Sequence, residues 1–348
     1  MVKNNLDTIS SLLKLHGLNG IINDPELNQR TFTTSGCPYI EYSPWMIAYH
    51  TEYLNSNTNV AENFTISVLN GHQPCALINI TLVKLDSGEF SLLSNASGIL
   101  PPYLFDSLSR KQKRKIAQKC FDFYLGIAKF FNIRELQFQT TFVSGESEGW
   151  FSILQNVGKP QFSQELYCDL SLSTEQYRQA IRDKYKKHIK SGLKLWDVQI
   201  VEQVTVEKFS EIQNLHLEVV GFATRSDITW QQLRNAINLK QAFAVTAYDG
   251  DKLVGAAIFS YTSKVAVYSM GVYDRTLFDD PVSHVVHFTA IEHMKYLGLK
   301  EYHLGSRCHQ SEWMMPSDKE TQIGYFKEGF MTHSRFKVSF NIQPEIDQ

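Results

Sequence analysis

Five short stretches of this chain gather the side chains that could do chemistry. GFATRSDITW, residues 221–230, sets Arg225 between Thr224 and Ser226. A loop arginine flanked by hydroxyls suits bidentate recognition of a carboxylate or phosphate. The same stretch suits a helix start, with Ser226 or Asp227 as its cap. IRDKYKKHIK, residues 181–190, read as a helix, places Arg182, Lys186 and Lys190 along one side. That row reads equally as a grip for phosphate and as a solvated face. PVSHVVHF, residues 281–288, puts His284 in the first turns of a helix. A helix N-terminus depresses an imidazole pKa and keeps the ring neutral, ready to accept a proton. His216, upstream in NLHLEVVG, could also accept a proton, whereas His287 and His293 read more simply as packed or exposed side chains.

Arg307 and His309 follow the strand-like YHLGS, in a place where open α/β sheets receive ligands. Cys308 between them has no base at a useful spacing and reads as a small residue rather than a nucleophile. The fifth stretch is PSDKETQIGYFKEGF, residues 316–330. It reads as a loop through Lys319 and Glu320, then a strand. Strand alternation sets Lys327 on the same face as Tyr325. A lysine in a core-facing row is costly unless it is paired or beside a ligand. There it would make sense as an oxyanion donor or a carboxylate anchor.

The elements that must position these groups come in two similar sets. In the first half, NFTISVLNGHQPCALINITLVKL reads as a hairpin turning at Asn70-Gly71, and EFSLLSNASGIL as a further strand. The next helix sets Ile116, Cys120, Phe123, Tyr124 and Ile127 on one face, and IRELQFQT returns as a strand. The second half repeats the order. It has a hairpin turning at Asp249-Gly250, the strand KVAVYSMGVYD, the helix PVSHVVHFTAIEHMKYLG and the strand LKEYHLGS. The expected fold class is therefore α/β (α+β), built as two tandem units, each a mainly antiparallel mixed sheet flanked by helices. The expected domains are 1–165 and 166–348. The segment after the boundary reads as a strand and then one basic helix capped by Thr174.

Bulk properties narrow the classes. At 348 residues and 43% hydrophobic, the chain can bury more than one core. A net charge of -2 gives no general attraction to nucleic acid, although SRKQKRK at 109–115 would suit tRNA or an anionic membrane surface, or simply solvate a helix. The five cysteines are dispersed, without C-x-x-C, and are expected as free thiols. MVKNNLDTISSLLKLHG has no apolar stretch of signal-peptide type, so a cytoplasmic location is expected. Three Asn-x-Ser/Thr triplets, at Asn63, Asn79 and Asn95, read as chance matches. No phosphate-binding glycine loop, zinc-protease helix or nucleophile elbow is present, and no metal is expected.

The second half resembles the Fem-type (FemAB-like) branch of the GNAT acyltransferases. The likeness rests on IRDKYKKHIKSG, GFATRSDITW, AYDGDKLVGAAIF, LFDDPVSHVVHFTAIEHMKYLGLKEYHLGS and PSDKETQIGYFKEGF in that order. The first half shares only the order of elements. The resemblance implies tandem GNAT-like domains and transfer of an acyl or aminoacyl group to an amine, from acyl-CoA or aminoacyl-tRNA. The acceptor it implies is an amino sugar, a nucleotide-linked sugar or another cell-envelope (surface polysaccharide) precursor. It implies Arg225, Thr224, Ser226, Arg307, Tyr325, Lys319, Arg182 and Lys186 as substrate contacts. Lys327 would be an electrophilic stabiliser, and His284 or Glu320 the proton acceptor. Two features depart from the pattern. The GNAT pyrophosphate loop is missing between YSMGVYD and PVSHVV, and Gly-Phe-Met-Thr stands where the branch often has Gly-Phe-Gly-Gly. A peptidoglycan-type aminoacyltransferase and a non-catalytic sugar- or partner-binding module are the rival readings.

Overall fold

A computed structural model describes residues 4–56, 60–141, 148–311 and 314–345; the first three residues of the N-terminal stretch lie outside these. The chain forms two compact units, Met1–Phe162 with Phe336–Gln348, and Ser163–Arg335. The polypeptide thus enters the second unit once and leaves it once, and its last residues return to the first. A single boundary near residue 165 does not express that return.

In the first unit, α1 (Asn5–Leu15), β1 (Gly20–Ile22), α2 (Pro25–Ser35) and α3 (Pro44–Asn55) precede the strands β2 (Val60–Asn70), β3 (Gln73–Lys84) and β4 (Phe90–Leu93). These pair antiparallel in the order β1-β2-β3-β4, with β5 (Tyr103–Leu104) also on β3. The hairpin turns through Gly71 at φ +64°, a left-handed conformation open to glycine at no steric cost. Then come α4 (Arg110–Phe131), β6 (Leu136–Thr141) and α5 (Glu148–Leu154). Ser109 and Gln112 close a capping box on α4. Its stripe of Cys120, Phe123, Tyr124 and Ile127 is buried with Phe64, Ile78, Phe138 and Trp150 in one core. The Asn triplets belong to the fold: Asn63 donates to Asn79 at 2.7 Å and Asn79 to Asn95 at 2.8 Å.

In the second unit, β7 (Pro160–Asp169) brings the chain in, followed by α6 (Thr174–Ala180), α7 (Asp183–Leu195) and β8 (Asp197–Val201). Next are α8 (Val206–Val220), α9 (Asp227–Asn238) and the strands β9 (Ala242–Asp249), β10 (Lys252–Tyr261) and β11 (Val265–Tyr273). The chain continues through α10 (Val282–Tyr296), β12 (Glu301–Arg307) and α11 (Asp318–Glu328), and along β13 (His333–Ile342) it passes back into the first unit at Phe336. Within this unit the strands lie in the order β7-β12-β11-β10-β9-β8. Only β11 and β12 of these run parallel. A parallel pair needs a crossover, and α10 supplies it. The residues of β10 alternate: Ala257 and Phe259 join the core that holds Val282, Val286 and Ile291 of α10 with Tyr177, Tyr185 and Ile189 of α6 and α7. Ala256 and Ile258, buried on the other face, lie towards the side served by α8 and α9.

Three local expectations are corrected here. The single basic helix is two helices, broken where Ile181 and Arg182 take extended backbone. Its cap is Ser173, in a capping box with Gln176, rather than Thr174. The closing segment TQIGYFKEGF is not a strand but α11, and the true last strand is β13. Ser317-Asp-Lys-Glu320 is the reason. Ser317 Oγ accepts from the Glu320 amide at 3.3 Å, and the Glu320 carboxylate accepts from the Ser317 amide at 2.8 Å. That reciprocal pair satisfies two otherwise orphaned amides and starts a helix. Lys327 therefore neighbours Ile323 and Gly324 on the helix surface, not Tyr325.

Candidate active site

The sheet of the second unit opens between its two parallel strands. β11 and β12 pair at only three positions, Val265–Val267 with Glu301–His303. Beyond these, β11 stays paired to β10 up to Tyr273, and β12 stays paired to β7 up to Arg307. The carboxyl-terminal ends of the two strands are thereby left without each other's hydrogen bonds. Such an end is where a ligand can approach backbone donors and acceptors.

Lys327 reaches this opening from α11. Its Nζ lies 5.4 Å from the ring centre of Tyr268 on β11. On the β12 side it stands over Gly305, where an added Cβ would come within 2.8 Å of Nζ. Gly305 holds φ +102° and adjoins a register shift in the β12–β7 ladder. A bulge here turns the strand and leaves room that only glycine can give. Burial lowers the Lys327 pKa below its ordinary value, and the nearby Glu165 carboxylate offsets part of the drop.

Glu165 is the other half of this site. It projects from β7 and is only 3% exposed. His303 Nε2 lies 2.6 Å from its Oε2, and Ser306 donates to its Oε1 at 2.7 Å. Serine and histidine thus meet on opposite oxygens of one carboxylate. That is a held carboxylate with an imidazole partner, not a nucleophilic Ser–His chain. Tyr167 stacks on His303 with ring centres 4.8 Å apart and fixes the imidazole plane.

Behind Lys327 lies His287, 1% exposed, with Nδ1 3.2 Å from the Tyr302 hydroxyl. Burial, then the charge of Lys327, push its pKa down to about 3, so the ring is neutral at pH 7. His284, one turn earlier on α10, is held at about 4, by burial first and then by His188 and Lys184. Its ring packs among Tyr185, His188 and Phe326 at 4.4, 4.6 and 5.1 Å. Its Nδ1 has no hydrogen-bond partner among the described residues.

The other expected site residues fall into four places. Arg182, Arg307 and Tyr325 join Lys327 around α11. Arg182 lies over the Tyr325 ring at 3.9 Å, and Arg182 and Arg307 approach the same Glu328 oxygen at 3.3 and 3.6 Å. Lys319 and Glu320 stand in the exposed first turn of α11, where Glu320 serves the capping box and its pKa is lowered by the Ser317 bonds. Lys186 pairs with Asp183 at 2.7 Å on the outer side of α7. Arg225, Thr224 and Ser226 gather at the α8–α9 connection. Arg225 donates to the Thr224 hydroxyl at 3.1 Å, lies 3.3 Å from His216 Nε2 and stacks over Trp230. Ser226 caps α9 through the Thr229 amide.

The architecture has counterparts among solved structures. FemX aligns over 93% of this chain and 97% of its own, at 10% identity and TM-score 0.65. The C-terminal domain of a putative lysylphosphatidylglycerol synthetase from Agrobacterium fabrum aligns over 92% of each chain, at 10% identity and TM-score 0.56. A tandem GNAT protein from the clavulanic acid biosynthesis pathway aligns over 95% of this chain and all of its own, at 11% identity and TM-score 0.50. This chain has the FemAB-like tandem GNAT fold. No family model and no curated protein matches the sequence.

Sequence reading of this chain missed Glu165, His303 and Ser306, along with Tyr268 and Tyr302, and took His287 only for a packed or exposed side chain. A signal existed for the first. Glu165 shares a strand face with Tyr167 and Asp169, and a carboxylate in a strand whose other face carries Leu166 and Cys168 calls for a partner.

Proposed function

We propose that this chain is an N-acyltransferase that moves an acyl or aminoacyl group onto an amine. The observation that supports the reading best is the half-buried Lys327 ammonium near the buried Glu165 carboxylate and its partner His303, at the point where β11 and β12 part. The tandem GNAT fold supports it independently, since a FemX and a putative lysylphosphatidylglycerol synthetase domain share that fold.

In this account the donor carbonyl lies at the opening, with its oxygen towards Lys327. The neutral acceptor amine attacks the carbonyl carbon from about 3–3.5 Å. A C–N bond forms and the carbonyl oxygen becomes an oxyanion. An ammonium with a lowered pKa is a stronger hydrogen-bond donor than a solvated one, so Lys327 stabilises that oxyanion. One such donor contributes about 3–4 kcal/mol. The amine's surplus proton passes to the Glu165–His303 pair. The oxyanion then collapses, the bond to the CoA sulfur or tRNA oxygen breaks, and the leaving group takes up a proton. No covalent enzyme intermediate is required.

Glu165 with His303 replaces Glu320 in this role because Glu320 is spent on the cap of α11. His284 faces rings rather than the opening and serves as packing behind Phe326. Arg225 with Thr224 and Ser226 forms a separate anchor for a carboxylate or phosphate on a substrate. The acceptor is an amino sugar or a cell-envelope precursor, and the place of work is the cytoplasm, where activated donors are made. Among the described residues no helix is long and apolar enough to cross a membrane.

The test is a transfer assay with purified protein, amino-sugar nucleotides as acceptors, and acyl-CoA or charged tRNA as donors. Transfer from one donor class supports the reading and names the donor. Binding of acceptor with no transfer from either donor leaves a binding module. Binding of neither donor nor acceptor contradicts the reading.

A further inference from the structure

The end of α11 is finished by residues from elsewhere in the chain. A helix leaves its last four carbonyls without intrahelical partners, and a left-handed glycine usually helps to satisfy them. Gly329 follows α11 but keeps right-handed backbone, φ −64° and ψ −18°. The amides of Gly329, Phe330 and Met331 instead make tight bonds to Phe326, Lys327 and Glu328. Further donors to this turn come from one short segment around the α6–α7 break. Arg182 Nη1 donates to the Tyr325 carbonyl at 3.2 Å, and the Tyr185 hydroxyl to that of Phe326 at 2.9 Å. The Arg182 amide donates to the Gly329 carbonyl at 3.1 Å. The Tyr177 hydroxyl donates to the Phe330 carbonyl at 3.2 Å.

Every one of these acceptors lies within three residues of Lys327, two before it and two after. The break between α6 and α7 is what makes the arrangement work. An unbroken helix would spend the Arg182 amide on the Arg178 carbonyl, whereas the extended residues free it for Gly329. The Tyr185 ring also lies against Gly329, where any Cβ would collide with it. Glu328, next to Lys327, is held by Arg182 and Arg307 together.

We propose that Arg182 and Tyr185 are positioning residues that hold the end of α11 so that Lys327 stays over Gly305. They act through the helix and need not touch substrate. The proposal rests on the reading of Lys327 as the site's electrophile, but its test does not require turnover. Trace labelling of lysines with acetic anhydride across a pH series, resolved by mass spectrometry, gives the midpoint at which each amine becomes reactive. In the wild-type protein the Lys327 midpoint lies below that of an ordinary lysine. In Tyr185→Phe and Arg182→Lys, which loosen the cap with little change of volume, it rises by about half a pH unit, a threefold smaller neutral fraction at a fixed pH. The midpoints of the other lysines stay where they were.

Where turnover is measurable, both variants lower kcat and leave KM unchanged. A Lys327 midpoint that does not move in folded Tyr185→Phe overturns the proposal, whether or not Arg182→Lys folds. Full turnover in Lys327→Ala with a shifted midpoint in Tyr185→Phe would contradict the catalytic reading and leave the positioning role standing.

Discussion

Lys327 occupies the space that a side chain at position 305 would need. A Cβ on Gly305 would lie 2.8 Å from Nζ, and the φ of +102° there is one that other residues rarely adopt. Gly305→Ala therefore meets two penalties, strained backbone and a displaced ammonium. The strain costs about 1–3 kcal/mol of stability. Urea denaturation reads that loss, and kcat is expected to fall further than in a surface variant of equal stability. Unchanged kcat in the destabilised variant would show that the Lys327–Gly305 contact has no part in turnover.

Much of this fold is legible in the chain. Both hairpin turns, the α4 stripe and the strand–α10–strand crossover follow from glycine positions and periodicity. The α11 segment reads as a strand because Tyr325, Phe326 and Phe330 lend it strand-like composition, and alternation outweighs the Ser317–Glu320 box. The local capping box decides this segment, because its two reciprocal bonds satisfy amides that a strand would not leave orphaned. Lys327 still emerges as a site residue, for a reason that survives the change of element: a half-buried lysine needs a purpose. Glu165 does not emerge, because its partners His303 and Ser306 lie about 140 positions away and only strand pairing brings them together.

Glu320→Gln separates a cap from a base. Glutamine at the third helical position also closes a capping box. The variant is expected to keep its stability and to turn over within about twofold of wild type, whereas loss of a general base costs about 10²–10⁴-fold. Steady-state kinetics on the two proteins decides this.

Stability should weaken in acid through His287. Its folded pKa of about 3 lies below the unfolded value near 6.5, so the unfolded chain binds the extra proton. The contribution is complete above pH 6.5 and is lost as pH falls towards 3. The slope from this residue approaches about 1.4 kcal/mol per pH unit in the middle of that range. Urea titrations between pH 7 and 4 should show His287→Leu with a slope flatter by one proton.

Lys327 should cost stability while it serves turnover. Burial outweighs the attraction of Glu165, so the net shift is downward and the charged form is the disfavoured one. That penalty is present at pH 7 and fades as pH rises through the lowered pKa towards the ordinary 10.5. Lys327→Met is expected to melt higher than wild type at pH 7, with the difference shrinking in alkali. Differential scanning calorimetry at several pH values checks it.

The most direct test of the account is kcat for Lys327→Ala beside wild type, with the donor class and amine acceptor that wild type accepts. Removing the oxyanion donor should lower kcat about 10²–10³-fold in a protein that still folds and still binds both substrates. Wild-type kcat in the folded variant would contradict the assignment of Lys327 and, with it, the mechanism proposed here.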